Sequence, residues 1–328
     1  MGIKTGIKTG IKIVSTGRKL PIYSATNEAL SEFLDTSDEW INSKTGINSR
    51  YICKDESLTD LAEEAARIAL SKAGLMPEDI DMIIFATVTG DYFVPSMACC
   101  VLERLRISRP AFDVNAACTG FIYALDVADS YISAGKAKTV LVIAAEMMSR
   151  VVDWTDRTSC ILFGDGASAT IVTAGDSLKY IRTTADAMVD TLFMRAGRGN
   201  NPFIETEKHP QQSFLEMQGQ NVYKFAVKTI ELEINLALDA LKMKADDVDY
   251  FILHQANTRI IDGARTRLKL GADKFPMNIS RCGNMSAASI PVLLDEMVED
   301  GRIKPGDMLM MVGFGAGMTA GTVVLEWQ

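Results

Sequence analysis

Cys118 stands where a short apolar segment gives way to a helical pattern, in FDVNAACTGFIYALDVADSYISAG at 112–135. The first backbone N–H groups of a helix have no partner within the helix and carry partial positive charge. A thiolate there gains about 0.3–1 kcal/mol, or about 2 kcal/mol when partly buried, which predicts a thiol pKa about one unit below the usual value. This placement predicts nucleophilic attack on a carbonyl carbon. A buried structural cysteine is the alternative, and this segment alone favours it.

Two further polar residues stand at positions where a site is expected. His254 follows the apolar segment VDYFIL and begins HQAN, and the ends of strands are where α/β proteins build their sites. Asn284 follows Gly283 in a turn before the helical pattern SAASIPVLLDEM. A buried, hydrogen-bonded histidine and an ordinary turn are the respective alternatives. His209, in ETEKHPQQ, is predicted to lie in an exposed loop.

The glycine-rich segment GFGAGMTAG, at 313–321, is the fourth element of interest. It leads into the strand-like TVVLEW and lacks the spacing of a dinucleotide-binding turn. Its glycines permit close approach of backbone to a ligand, and its N–H groups can donate to an oxyanion. The sequence contains no metal motif, phosphate loop or GxSxG turn.

The elements that must position these residues occur twice along the chain. Three pairs of segments resemble each other in the same order: EDIDMIIFATVTG with DDVDYFILHQAN, ISAGKAKTVLVIAAE with VEDGRIKPGDMLMMVGFG, and FGDGASATIV with FGAGMTAGTVV. We therefore predict an α/β fold of two duplicated halves, 1–180 and 181–328, with mixed, mostly parallel sheets covered by helices. Any two α/β segments look somewhat alike, but the shared order of three pairs favours duplication. The helix after Cys118 then corresponds to the helix after Asn284.

Bulk composition narrows the class of protein. The 328 residues carry a formal net charge of −8 and are 48% hydrophobic, which predicts a large core and argues against general nucleic-acid binding. Six cysteines without CxxC pairing favour a reducing cytoplasm. No apolar run approaches the roughly 18 residues of a membrane span, and the N-terminal GIK repeat is not a signal peptide. The role of that repeat is not predicted.

Over nearly its whole length the sequence resembles the β-ketoacyl-acyl-carrier-protein synthase III family of the thiolase superfamily. The resemblance rests on TSDEWINSKTGINSR, PAFDVNAACTGFIYALDVADSYI, DWTDRTSCILFGDGA, HQANTRII, GNMSAASIPVLLDEM, GRIKPGD and GFGAGMTAG. It implies two thiolase-type halves in a homodimer that uses no metal or cofactor. It further implies that a primer acyl-CoA acylates Cys118, and that malonyl-acyl-carrier-protein (malonyl-ACP) then loses CO₂ and attacks the acyl-cysteine. The primer and the pathway are left open.

The same resemblance assigns roles at the reacting centre. His254 and Asn284 become neutral donors to the malonyl thioester oxygen, and the acyl-transfer oxyanion is bound by the N–H groups of Cys118 and Ala316. Relatives that elongate longer chains use two histidines with the cysteine. Here the second histidine is predicted to lie in a hydrophilic loop, so Cys-His-Asn is the available set.

Binding residues are implied in the same way. Trp40 is expected to stack on the CoA adenine with Arg157 near the nucleotide, and Gln220 to form part of the pantetheine wall. Lys44 stands where the family commonly has arginine. Lysine carries a point charge and lacks the planar group with which arginine stacks, so the expected CoA contact of Lys44 is less specific. Val94, in DYFVPS, stands where acetyl-using members often have phenylalanine that closes the partner's acyl pocket. We hypothesise a roomier primer pocket, unless neighbouring Phe93 fills the space.

The acidic carrier protein requires a local basic surface on this acidic chain. In TRIIDGARTRLKL the predicted docking residues are Arg259, Arg265 and Arg267, with a solvated helix face as the alternative. Two other functions remain open at this point. One is a related Cys-His-Asn ketosynthase of polyketide metabolism, and the other is a silent subunit that only binds acyl chains. A thiolase proper needs a second catalytic cysteine, for which Cys282 is a poor candidate.

Overall fold

The computed structural model describes residues 10–196 and 213–328, so His209 and the first two copies of the GIK repeat lie outside the described residues. The strands are β1 (Gly10–Lys19), β2 (Tyr23–Thr26), β3 (Ser49–Ile52), β4 (Met82–Ala86), β5 (Ala111–Val114), β6 (Thr139–Met147), β7 (Asp165–Gly175), β8 (Leu178–Ala185), β9 (Leu192–Phe193), β10 (Glu216–Met217), β11 (Tyr250–Leu253), β12 (Met308–Gly315) and β13 (Thr319–Glu326). The helices are α1 (Asn27–Ser31), α2 (Asp38–Thr45), α3 (Leu58–Ala73), α4 (Met97–Leu105), α5 (Gly120–Ser133), α6 (Gly219–Leu241), α7 (Thr258–Leu268), α8 (Ile279–Cys282) and α9 (Ser289–Glu299).

Two large sheets repeat one strand order, which confirms the predicted duplication. The first sheet runs β1-β7-β6-β4-β5 and the second runs β8-β13-β12-β11. Each strand of the second sheet therefore has a counterpart in the first, and β5 is the additional edge strand. In both halves a helix begins just after a candidate residue: α5 follows Cys118 in the first half, and α9 follows Asn284 in the second.

The strand directions correct one part of the prediction. In the two large sheets the pairs β4–β5, β4–β6 and β11–β12 are parallel, whereas β1–β7, β6–β7, β12–β13 and β8–β13 are antiparallel. The sheets are mixed, as predicted, but "mostly parallel" is wrong. The connection from β12 to β13 is too short to cross over the sheet, and a short connection between neighbours produces an antiparallel pair.

Strand membership also bears on where the two halves divide. The predicted boundary between residues 180 and 181 falls inside β8, whose register pairs Tyr180 with Val324 and Ile181 with Val323 of the second sheet. We therefore propose that the division lies between the end of β7 and the start of β8.

The central layer of the fold consists of α5 and α9, packed between the two sheets. One core cluster joins Phe121 and Leu125 of α5 to Leu293 of α9 and to residues of both sheets. Successive residues of a buried strand pack against opposite faces of the sheet. In β4, Ile84 packs against this central layer and Phe85 packs against α3 and α4. The second sheet is covered on its outer face by α6 and α7. The starts of α5 and α9 are thereby brought together.

A buried carboxylate fastens α9 to the first half of the molecule. Asp295 is 1% exposed and accepts hydrogen bonds from Thr16 Oγ1 at 2.7 Å, Arg18 Nη1 at 2.6 Å and Lys72 Nζ at 2.8 Å. Burying a charge is costly unless opposite charges and donors surround it, and two cations do so here. The axial position of α9 is therefore fixed relative to β1 and α3. Among the helices of residues 10–196 and 213–328, none is long and apolar enough to cross a membrane.

We predict that the central layer carries much of the stability. Leu293→Ala, at a fully buried position of α9, is expected to lower the free energy of unfolding by about 2–5 kcal/mol because the cavity left behind cannot close. Leu232→Ala on α6, where the side chain is half exposed, is the control and is expected to change it by at most about 0.5 kcal/mol. Urea unfolding at one protein concentration measures both variants. Equal losses would contradict this assignment of the core.

Candidate active site

Cys118, His254 and Asn284 line one cavity, although they are far apart in the chain. The cavity has a volume of about 490 Å³. Most of its other walls are apolar, with Val88, Leu192 and Met318 as examples. A cavity of this kind suits a long thin ligand whose reacting end meets a few polar groups at the bottom.

Cys118 lies in a short 3-10 turn, Ala117–Thr119, immediately before α5. Burial raises the pKa of its thiol to about 12, and the neighbouring carboxylate of Glu146 adds to the rise, while a hydrogen bond with the Ser286 side chain lowers it. The sequence prediction of a lowered pKa is therefore wrong in direction. The helix start supplies at most about 2 kcal/mol, which is less than the desolvation of a thiolate in a dry cavity.

The equivalent turn of the second half carries Asn284 and Ser286. There the 3-10 turn Ser286–Ala288 precedes α9, as the turn of Cys118 precedes α5. The first residue of each turn has a positive φ, 46° at Ala117 and 47° at Ser286. Duplication has thus placed the nucleophile on one copy of the turn and a polar donor on the other.

His254 is neutral and its orientation is fixed. Its Nδ1 is 2.6 Å from Ser289 Oγ, at the first residue of α9, and Ser289 Oγ also lies 3.4 Å from the backbone nitrogen of Gln255. While it accepts from Gln255, the hydroxyl can donate its hydrogen to Nδ1, and that arrangement leaves the ring proton on Nε2. Burial lowers the pKa of His254 to about 3, so at neutral pH the ring acts as a donor and not as a cation.

Asn284 is held with its amino group available to a ligand. Its Oδ1 accepts the backbone N–H of Ser286 at 2.8 Å, and its own backbone pairs with Leu162 and Gly164 at 2.8 and 3.1 Å. With Oδ1 occupied, Nδ2 is the group that can donate into the cavity. His254 and Asn284 therefore offer two uncharged donors to a developing oxyanion.

The glycine-rich segment approaches the nucleophile through its backbone. A Cβ added to Gly315 would lie 2.7 Å from the backbone nitrogen of Cys118, so only glycine fits there. Thr319 Oγ1 accepts a hydrogen bond from Thr119 Oγ1 at 2.7 Å, which ties the two segments together. Ala316 lines the same cavity. Its predicted role as an oxyanion donor remains a prediction.

The predicted CoA residues lie around the mouth of the cavity, with one difference. Trp40 and Lys44 line the cavity, and the guanidinium carbon of Arg157 lies 5.1 Å from the Trp40 ring centroid. Such a pair presents a flat cationic and aromatic surface to a nucleotide base. Gln220 is exposed, and its neighbours Gly219 and Val222 form the wall instead. The CoA contacts themselves remain predictions.

The remaining predicted residues lie on the surface. Val94 is 86% exposed and lies beside the fully exposed Phe93, outside the walls of this chain's cavity. On α7, Arg265 Nε is 3.3 Å from Asp262 and Arg267 Nη1 is 2.5 Å from Glu231, while Arg259 Nη2 donates to the backbone oxygen of Ser43. Each of the two ion pairs offsets part of the positive charge expected for docking.

Sequence reasoning missed three polar residues that surround the candidate set. Ser289 orients His254, Ser286 contacts Cys118, and Glu146 lies behind Ser286. The serines lie in SAAS, a run of small residues that indicated only a helix start. Glu146 ends the apolar strand VLVIAAE, and an acid at the end of a buried strand was the available signal.

Comparison with known proteins agrees with this arrangement. Two family models match the chain: "3-Oxoacyl-[acyl-carrier-protein (ACP)] synthase III" over residues 112–187, and "3-Oxoacyl-[acyl-carrier-protein (ACP)] synthase III C terminal" over residues 238–327. A beta-ketoacyl-[acyl-carrier-protein] synthase III of Clostridium perfringens is 45% identical over 320 residues, which is 96% of this chain and 98% of the relative.

Solved structures give the same result. The crystal structure of 3-oxoacyl-[acyl-carrier-protein] synthase III from Aquifex aeolicus has a TM-score of 0.89 at 42% identity, covering 97% of this chain and all of that one. The priming β-ketosynthase of the R1128 polyketide pathway has a TM-score of 0.91 at 30% identity, covering 100% and 99%. Two duplicated halves with a buried cysteine at their junction define a thiolase-like condensing enzyme. The chain belongs to the β-ketoacyl-acyl-carrier-protein synthase III family.

We predict that Gly315→Ala displaces the nucleophile. The added methyl group meets the backbone of Cys118, which cannot rotate away, and a displacement of about 1 Å is expected to slow acylation of Cys118 by about 10²-fold. Gly263→Ala is the matched control, because its nearest neighbour would be 3.7 Å away in ordinary contact. Acylation is followed by mass spectrometry and folding by circular dichroism. Equal acylation rates in the two variants would contradict the close approach.

Proposed function

We propose that this chain joins a primer acyl group to malonyl-ACP through an acyl-cysteine on Cys118, and so begins fatty acid synthesis. The observation that carries this proposal is the cavity itself, in which a buried thiol shares one space with two neutral donors, His254 and Asn284. Acyl-CoA and malonyl-ACP are substrates, so no resident cofactor is required.

In the first half-reaction the Cys118 sulfur attacks the thioester carbon of the primer. The C–S bond to CoA breaks, and CoA leaves as its thiol. Cysteine suits this step because it is both a good nucleophile and a good leaving group. The N–H groups of Cys118 and of the segment holding Ala316 are the proposed donors to the tetrahedral oxygen, supported by the close approach of Gly315 to Cys118.

In the second half-reaction malonyl-ACP occupies the emptied cavity. Loss of CO₂ leaves an enolate whose oxygen is bound by His254 Nε2–H and Asn284 Nδ2–H. One preorganised donor contributes about 3–4 kcal/mol, so two account for a large part of this barrier. The enolate carbon then attacks the acyl-cysteine carbon, a C–C bond forms, the C–S bond breaks and Cys118 is regenerated.

Partners and pathway complete the proposal. Relatives at 42–45% identity carry the synthase III name, and the polyketide priming enzyme is 30% identical, which favours the fatty acid pathway. We propose a cytoplasmic homodimer whose carrier protein docks on the arginines of α7, Arg259, Arg265 and Arg267. Their position beside α2, which carries Trp40 and Lys44, supports entry of the carrier at the cavity mouth.

We predict that mixing the protein with acetyl-CoA adds one acetyl group, on Cys118. The Cys118→Ala variant should show no adduct, whereas Cys99→Ala, which removes an exposed cysteine, should be labelled like the unmodified protein. Peptide mass spectrometry locates the group. Addition of malonyl-ACP should then remove it and give a 3-oxoacyl-ACP. A chain that takes up no acetyl group is a binding subunit, and the proposal fails.

We also predict that the primer pocket accepts more than acetyl. Val94 is exposed and smaller than phenylalanine, and in a homodimer it is proposed to close the partner's pocket. Condensation with butyryl-CoA to octanoyl-CoA is expected in the unmodified protein, and Val94→Phe should lower the rates of the longer primers by about 10-fold or more while sparing acetyl-CoA. Phe93→Ala is the comparison variant. An unmodified protein that uses acetyl-CoA alone would refute the roomier pocket.

A further inference from the structure

Glu146 is a fully buried carboxylate that the proposed reaction does not yet use. It is the penultimate residue of β6, and its exposed fraction is 0%. Burial raises its pKa. A buried acid next to a reactive cysteine adds to the cost of forming a thiolate, because two negative charges would share one dry site.

The two carboxylate oxygens of Glu146 have different hydrogen-bond partners. Oε2 accepts from Thr89 Oγ1 at 2.5 Å, Thr87 Oγ1 at 3.1 Å and the backbone nitrogen of Val88 at 3.1 Å. The two threonine oxygens also accept backbone N–H groups, from Thr89 and Met147, so their hydrogens are directed at the carboxylate. Oε2 already accepts these three hydrogen bonds, so a proton that Glu146 takes up would bind to Oε1.

The other oxygen faces the nucleophile. Oε1 lies 3.0 Å from Ser286 Oγ, which is its hydrogen-bond partner in the part of the chain that the structure describes. The same serine lines the cavity together with Cys118, and hydrogen bonding by its side chain lowers the pKa of the Cys118 thiol. Ser286 Oγ is thus the group that can connect the sulfur of Cys118 with Glu146 Oε1.

The histidine is not placed to take the thiol proton. Its Nδ1 is occupied by Ser289, and its Nε2 carries a proton when the hydroxyl of Ser289 donates to Nδ1. In that tautomer neither ring nitrogen has a free lone pair for the thiol proton, so the base for Cys118 comes from elsewhere. Glu146 is an ionisable acceptor that is hydrogen-bonded to Ser286, the residue that can connect it to the sulfur.

We propose that Glu146, acting through the hydroxyl of Ser286, is the base that takes the proton of Cys118 before acylation. The S–H bond of Cys118 breaks as an O–H bond forms on Ser286, and the original Ser286 proton moves to Glu146 Oε1. One negative charge moves from the carboxylate to the sulfur, and no second charge is created. This role rests on Cys118 being the acylated residue.

The same path can return the proton. After the sulfur lone pair forms the bond to the acyl carbon, the CoA thiolate departs beside Ser286, which lines the cavity. The proton passes from Glu146 to Ser286 and from Ser286 to that thiolate, so CoA leaves as a thiol and Glu146 is again ionised. Ser286 thereby has two tasks: its backbone N–H orients Asn284 and its hydroxyl carries the proton.

The pH dependence of alkylation tests this relay without any substrate. In a pair that shares one proton, the thiolate fraction is constant between the two macroscopic pKa values, whereas a lone thiol gains about tenfold per pH unit. The titratable groups that matter for this sulfur are Glu146 behind it and His254 in the cavity wall. Iodoacetamide labelling of the Cys118 peptide, read by mass spectrometry, should be flat across neutral pH in the unmodified protein.

Two variants and one control make the result specific. Glu146→Gln should lose the flat region because it removes one of the two groups that share the proton. Both Glu146→Gln and Ser286→Ala should slow acylation by acetyl-CoA at neutral pH by about 10²–10⁴-fold. Thr87→Val removes one hydrogen bond from the same carboxylate but leaves the path to Cys118 intact, so the flat region should persist.

The opposite results would overturn the relay. If Glu146 acts only through its charge, Glu146→Gln lowers the pKa of Cys118 and labelling becomes faster at neutral pH. A rate of acylation in Ser286→Ala equal to that of the unmodified protein, or a flat region that is absent from the unmodified protein, also rejects the path. Labelling by iodoacetamide without any acetyl adduct from acetyl-CoA would instead show that the proposed function, and not the relay, has failed.

Discussion

The close contact between the starts of α5 and α9 is the constraint on which the rest of the molecule depends. A Cβ on Gly120 would lie 3.0 Å from Ala86 Cβ and 3.2 Å from Ala287 Cβ, so small side chains are required where the two helices begin. Because both helices are buried between two sheets, their first turns meet inside the protein and not at its surface. The cavity, the nucleophile and the donors all follow from that meeting.

The burial of the candidate active site determines which chemistry it can perform. In water a histidine and a cysteine titrate near neutrality, but burial lowers the pKa of His254 to about 3 and raises the pKa of Cys118 to about 12. Both side chains are thus held in their uncharged forms. Such a site stabilises negative charge with dipoles, which suits an enolate, and it must obtain its thiolate by moving a proton between neighbours.

The sequence was sufficient for the parts that depend on local pattern. The duplication, the strand end at His254 and the turns at Cys118 and Asn284 follow from apolar periodicity and from the positions of small residues. The directions of neighbouring strands could not be predicted from the sequence, because they depend on which connections cross over a sheet. Glu146 and Ser286 are 140 positions apart, and no local pattern indicates that they touch. The pKa of Cys118 was misjudged because a helix start is visible in sequence and the depth of burial is not.

The anchoring of α9 by Asp295 connects the candidate active site to residues far from it. Asp295 lies six residues after Ser289, about 9 Å along the helix axis, and its cationic partners Arg18 and Lys72 are both partly exposed. These two cations therefore connect the protein surface to the helix whose first residue, Ser289, is hydrogen-bonded to His254. A substitution of either cation can therefore alter the support of His254 from outside the cavity, while every residue that lines the cavity stays the same.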